Sequence, residues 1–128
     1  MNRFPAPTKT YEPNPGYTPE DVVKIQLDSL QNNDILGGNH GIRNAYRFTS
    51  PVNRATTGPI DKFIDMVKNP LYHSLVGFEN AEVEAKRVRN DTALLSVRLV
   101  HHRGDSLYLF ALSRYNGCWM MDSVLPAG

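Results

Sequence analysis

One cysteine, Cys118, stands alone among 128 residues. It has no partner for an internal disulfide and no companions for a cysteine-based zinc cluster, so both are excluded. Charge of one sign is missing as well: fourteen Lys and Arg face thirteen Asp and Glu, a formal net charge of +1. A dedicated nucleic-acid binder carries a basic excess, and an interaction tail carries a block of like charge; the sequence has neither. No apolar run approaches the ~20 residues that span a bilayer, so no membrane span is expected. The first residues lack the apolar stretch of a secretory signal and the Arg- and Ser-rich amphipathic character of a transit peptide. Read as complete, the chain defaults to the cytoplasm, with a processed organellar protein, such as a plastid one, as the alternative.

The familiar catalytic signatures are absent too. There is no His-Glu-x-x-His, no Gly-x-Ser-x-Gly, no P-loop and no dinucleotide fingerprint, and no cofactor is expected. The sequence holds four histidines. His101 and His102 are adjacent in a predicted strand and point to opposite faces. His40 and His73 lie in other segments, and no metal-ligand spacing results.

What is present suffices for a core. Hydrophobic residues make up 41% and charged residues 21%, which excludes wholesale disorder and suits one folded domain. Residues 1–17 hold Pro5, Pro7, Pro13 and Pro15 between Phe4, Tyr11 and Tyr17, and read as an extended tail ahead of a domain over 18–128. Thr18-Pro19-Glu20-Asp21 is a helix start, with Thr as cap, Pro in the first turn and acids at the positive end of the dipole. Val22, Val23, Leu27 and Leu30 follow on one face, and Gln26 and Asn33 project onto the same arc. A second helix is predicted over His40–Phe48, and Thr49–Thr57 reads as a loop. Gly58-Pro59 opens a third helix, with Ile60, Phe63, Ile64 and Val67 at helical spacing.

After Gly77 the period changes to alternation. Phe78–Val88, Thr92–His102, Ser106–Arg114 and Cys118–Leu125 read as four strands, joined by short turns that make neighbours antiparallel. The fold class is therefore α+β: three N-terminal helices packed on a curved four-stranded antiparallel sheet. Leu107, Leu109 and Ala111 alternate with Tyr108, Phe110 and Leu112, so the third strand is apolar on both faces. Helices cover one face; a homodimer or a larger protein assembly would cover the other.

Three groups carry candidate chemistry. Asp122 shares strand parity with Cys118, Met120 and Val124; inside a pocket it would be a general base, and outside it would pair with an arginine such as Arg98 or Arg114. Asn53, Arg54, Thr56, Thr57 and Gly58 precede the third helix and, with Arg43 and Arg47, would suit a small anion; the alternative is a rigid structural loop. Gln26, Tyr46 and Trp119, with His101 as a further member, offer polar handles on a pocket wall or simply fill the core.

Helices followed by such a sheet are similar to the nuclear transport factor 2-like (SnoaL-like) superfamily, a cone with a pocket between helices and sheet. Gln26-Leu27 through Asn33-Asp34, Tyr46-Arg47-Phe48, Ser50-Pro51, Asn53-Arg54, Thr57-Gly58-Pro59, Phe63, Met66, Tyr72 and Gly117-Cys118-Trp119 resemble one family within it. That family is a domain of unknown function of bacteria and photosynthetic organisms, and the likeness covers roughly residues 18–125. The resemblance implies a fold and no chemistry. Two functions follow as expectations. One is a dimerisation or assembly module. The other is a pocket for a small anionic or apolar ligand, with isomerase, dehydratase or cyclase proton transfer at Asp122.

Overall fold

The computed structural model describes residues 10–34 and 37–127. Phe4, Pro5 and Pro7 of the predicted tail lie outside them. Five helices, α1 (Pro19–Gln31), α2 (His40–Tyr46), α3 (Pro51–Thr57), α4 (Ile60–Lys68) and α5 (Ser74–Gly77), precede four strands. The strands are β1 (Asn80–Arg89), β2 (Thr92–His101), β3 (Gly104–Tyr115) and β4 (Cys118–Pro126).

α1 begins where the residues at its start require. Thr18 Oγ1 accepts the Asp21 N–H at 3.0 Å and Asp21 Oδ2 accepts the Thr18 N–H at 3.0 Å, a reciprocal capping box. Val22, Val23, Ile25, Gln26, Leu27, Ser29 and Leu30 are all buried. α2 crosses α1 at a glycine. A Cβ on Gly41 would lie 1.9 Å from the Ser29 carbonyl oxygen, so the two backbones touch. Asn33, buried at the end of α1, caps its neighbour by accepting the Ile42 N–H at 2.8 Å through Oδ1.

The segment Thr49–Thr57, expected as a loop, contains α3, and the described residues hold five helices where three were expected. Ser50 Oγ accepts the Asn53 N–H at 3.1 Å and Pro51 sits in the first turn. Ser-Pro is the same start signal as Thr18-Pro19, and Pro51 initiates a helix here instead of breaking one. Upstream, Tyr11 is part of the core, 9% exposed, and its N–H donates to Asn44 Oδ1 at 3.1 Å. Tyr17 packs near Phe48, ring centroids 6.3 Å apart.

The sheet is an antiparallel meander in the order β1-β2-β3-β4. Asn116-Gly117, both at positive φ, close the last hairpin on two residues, which is the turn that matches strand twist. Ala93, Leu95, Val97 and Leu99 of β2 and Tyr108, Phe110 and Leu112 of β3 are buried, and one apolar cluster joins them to α1, α2 and α4. Leu107, Leu109 and Ala111 alternate with these and are half-buried on the opposite face. Two bulges interrupt the ladder. Ala111 pairs with Ser123 and Leu112 with Met121, leaving Asp122 as the extra residue of β4; Glu84 holds the same place in β1.

Candidate ligand-binding site

A cavity of about 380 Å³ lies between the helices and the end of the sheet. All five helices contribute: Gln26 and Leu30 from α1, Ala45 from α2, Val52, Asn53 and Thr57 from α3, Phe63 and Met66 from α4, Leu75 from α5. Phe110 of β3 and Met121 to Leu125 of β4 complete the wall. Val52 and Leu125, 58% and 52% exposed, form an apolar rim. The volume lies within the ~300–1,000 Å³ of small-molecule pockets.

Gln26 is the polar anchor of this wall. Its Nε2 donates to the Ala45 carbonyl at 3.1 Å, and a carbonyl partner requires the nitrogen there, which assigns the other atom as Oε1. Oε1 is buried and has no hydrogen-bond partner among the described residues. His40 Nε2 and His101 Nε2 share that condition, but neither residue lines this cavity. An unpartnered buried carbonyl costs ~1–3 kcal/mol, so it marks a place where a donor would be welcome.

The other predicted residues divide among three fates. Asn53 lines the cavity at 7% exposure, and its Oδ1 accepts from Thr57 Oγ1 at 3.1 Å. Thr56 and Thr57 stand in the last turn of α3, not in a loop, and their hydroxyls donate back to the carbonyls of Val52 and Asn53. Arg54 turns away to clamp α2. Its Nε donates to Thr49 Oγ1 at 2.9 Å, its Nη2 to the Tyr46 carbonyl at 2.8 Å, and its Cζ stands 4.4 Å from the Tyr46 ring centroid. Tyr46 donates its hydroxyl to the Gly58 carbonyl at 3.3 Å and packs on Phe63, which makes it a brace between α2 and α4. Arg47 Nη1 donates to Asn44 Oδ1 at 3.1 Å. Trp119 is buried at 5% exposure beneath the Arg114 guanidinium and is not in the cavity wall. His101 borders a separate groove with His73, His102, Ser74 and Ser106.

Asp122 occupies an unexpected position. As the bulged residue it borders the cavity, yet Ser113 Oγ donates to its Oδ2 and Tyr115 donates its hydroxyl to Oδ1 at 2.7 Å. The hydrogen bond to Asp122, followed by burial, raises the Tyr115 pKa above the usual phenol value. The expected parity breaks at this point. Met120 pairs with Ser113 on the face away from the core, whereas Val124 pairs with Phe110 and lines the cavity, because the bulge inserts one residue between them. Arg98 pairs with Glu84 and Asp105, and Arg114 with Asp91, so neither arginine serves Asp122. Ser113 and Tyr115 went unnoticed in the sequence. The two-residue Asn116-Gly117 turn has Tyr115 and Ser113 one and three residues before Asn116, on the strand opposite the one that holds Asp122, and that register was the available signal.

Among the described residues no group of three or more His, Cys, Asp or Glu is placed to hold a metal ion, and no helix is long and apolar enough to cross a membrane. The sequence matches the model of a family described as Domain of unknown function (DUF4864) over residues 15–127. No curated protein matches it.

Proposed function

We propose that this chain, which belongs to the DUF4864 domain family, binds a small, mainly apolar molecule in the cavity between its helices and its sheet. One observation carries the reading: a pocket of about 380 Å³ whose wall buries a carbonyl oxygen, Gln26 Oε1, without a partner. Such an atom in a mainly apolar wall is a cost to the free protein. As part of the same proposal the fold is a nuclear transport factor 2-like cone. Helices ahead of a four-stranded meander with two bulges support this, because bulges bend a sheet toward closure. The reading stops at binding. Both oxygens of Asp122 already accept hydroxyl hydrogen bonds, so a base at this position would have to compete with Ser113 and Tyr115 for a substrate proton.

Titration with Nile red, a neutral apolar fluorophore, tests the reading. The expected result is one saturable site, weakened at least tenfold in Met66→Trp, which adds an indole to the wall at a half-buried position. Absence of binding, or equal binding by the variant, removes the proposal.

A second reading rests on the other side of the sheet. Leu94, 42% exposed, lies beside half-buried Leu107, Leu109 and Ala111 on the face away from the core. A second copy of the chain, packed sheet to sheet, would cover this surface and make the protein a homodimer or assembly module. Sedimentation at micromolar concentration tests it. Dimer formation abolished by Leu94→Arg supports the reading, and a wild-type monomer ends it.

A further inference from the structure

The two edges of the sheet differ in what covers them. At β4 the Ser50 N–H donates to the Met121 carbonyl at 2.9 Å and the Met121 N–H to the Phe48 carbonyl at 2.7 Å, so the chain closes that edge with its own backbone. β1 forms the other edge. It is ten residues long, as long as β2, whereas a blunted edge strand is short. Among the described residues, no backbone group outside the sheet hydrogen-bonds to Asn80–Arg89. Val88 pairs with buried Ala93 on the core side, yet is itself 50% exposed, so the helices do not reach over this end of the strand.

The charges of β1 are divided along its length. Glu82 and Glu84 precede Ala85, and Lys86, Arg87 and Arg89 follow it. Glu84 is held by Arg98 and Lys86 by Glu20, while Glu82, Arg87 and Arg89 form no ion pair among the described residues. Glu82 lies opposite Arg98 and Arg87 opposite Leu94, so both face away from the core. The bulge at Glu84 brings this about, because it shifts the alternation by one and puts two residues of odd separation on one face. Laid antiparallel against its own copy, about a two-fold axis between Glu84 and Ala85, the strand sets Glu82 against Arg87, Asn80 against Arg89 and Ala81 against Val88. Each of these pairs shares a face, and the two-fold repeats every one. A bulge and charged side chains are the usual guards of an edge, and guards of one sign repel any copy. These attract a copy in the antiparallel direction; parallel pairing would set acid on acid.

We infer that β1 is a docking edge for a second copy of this chain, joining two four-stranded sheets into one through antiparallel β1–β1 pairing. Main-chain hydrogen bonds hold the contact, and the Glu82–Arg87 pairs set its direction. The inference is independent of the cavity. It uses the edge of the sheet, where sheet-to-sheet packing uses the open face.

Sedimentation of the full chain over a concentration series reads the contact. One strand from each partner makes a small interface, so a dimer with a dissociation constant of ~1–100 μM is expected. Hydrogen exchange should show β1 amides gaining protection as the dimer fills, a change that packing through the open face would not produce. Glu82→Arg leaves Glu84 as the one acid of β1, and Arg87→Glu with Arg89→Glu leaves Lys86 as its one base; all three substituted residues are exposed. Each variant alone should dimerise about tenfold more weakly or worse, and an equimolar mixture should recover the wild-type affinity. Leu109→Arg, on the open face two strands from β1, should leave the dimer intact. A wild-type monomer at ~100 μM, charge variants that dimerise like wild type, or a mixture no tighter than either variant alone would each overturn the inference. So would a dimer lost in Leu109→Arg with β1 exchange unchanged by concentration, an outcome that leaves sheet-to-sheet packing standing. The wild-type series with its exchange readout needs no variant to fold.

Discussion

Replacing Gln26 by methionine should stabilise the ligand-free protein, contrary to the rule that changes at fully packed positions destabilise. The substitution removes one hydrogen bond, Nε2 to the Ala45 carbonyl at 3.1 Å, worth ~1 kcal/mol net. It creates no new orphan, because the Ala45 carbonyl also accepts the Phe48 N–H at 3.0 Å. It deletes the unpartnered Oε1, whose desolvation costs ~1–3 kcal/mol. Methionine is unbranched, apolar, similar in length and as good a helix former. The balance is a gain of about 1 kcal/mol, or ~4 °C in Tm for a domain of this size. Urea unfolding followed by circular dichroism on ligand-free protein reads it as a raised midpoint at constant slope. A loss of about 1 kcal/mol or more would mean that Oε1 has a partner in the free protein.

Three further predictions probe the frame that holds the cavity. Gly41→Ala would place a Cβ 1.9 Å from the Ser29 carbonyl; despite alanine's better helix propensity, a net loss of ~2 kcal/mol or more is expected, and a neutral result in denaturant would refute the close α1–α2 crossing. Asn33→Ala removes the side chain that accepts the Ile42 N–H and should cost ~2 kcal/mol, read as lower hydrogen-exchange protection in α2; unchanged protection would count against the cap. Glu20 accepts a hydrogen bond from Lys86 at 2.7 Å; this bond, with the charges of Lys86 and Lys24, outweighs the opposing effect of burial and holds its pKa below the usual glutamate value. Because the folded pKa is the lower one, this stability is present at neutral pH and lost as pH falls through it. Glu20→Gln should therefore cost a few tenths of a kcal/mol, up to ~1, at pH 7 and nothing in acid strong enough to protonate Glu20 in the folded protein. A deficit that persists in acid would show that the contact is not ionic.

Alternation and turn residues are local properties, and they carried the sheet. The two faces of β2 and β3 and the Asn116-Gly117 hairpin could be read from spacing, since side-chain direction in a strand follows from position alone; which face of β3 is buried could not, because both are apolar. The capping box at Thr18 is local in the same way. Parity failed at Asp122 because a bulge leaves no mark in composition; it is set by how Met121 pairs with Leu112 while the Phe48 carbonyl accepts its N–H at 2.7 Å. Ser50-Pro51 is the same start signal as Thr18-Pro19, but few apolar residues follow it. α3 is short and largely exposed, so it has no apolar stripe to announce it.

The sequence by itself determined the class of fold, the meander and the burial of Gln26, each a matter of neighbours along one helix or strand. The tertiary structure alone decided that Arg54 braces α2 and that Trp119 lies outside the cavity. It also left Gln26 Oε1 without a partner while Ser113 and Tyr115 claimed Asp122. Hydrogen-bond satisfaction is a census over atoms brought together from five helices and four strands, and no local pattern can count partners that arrive from distant parts of the chain.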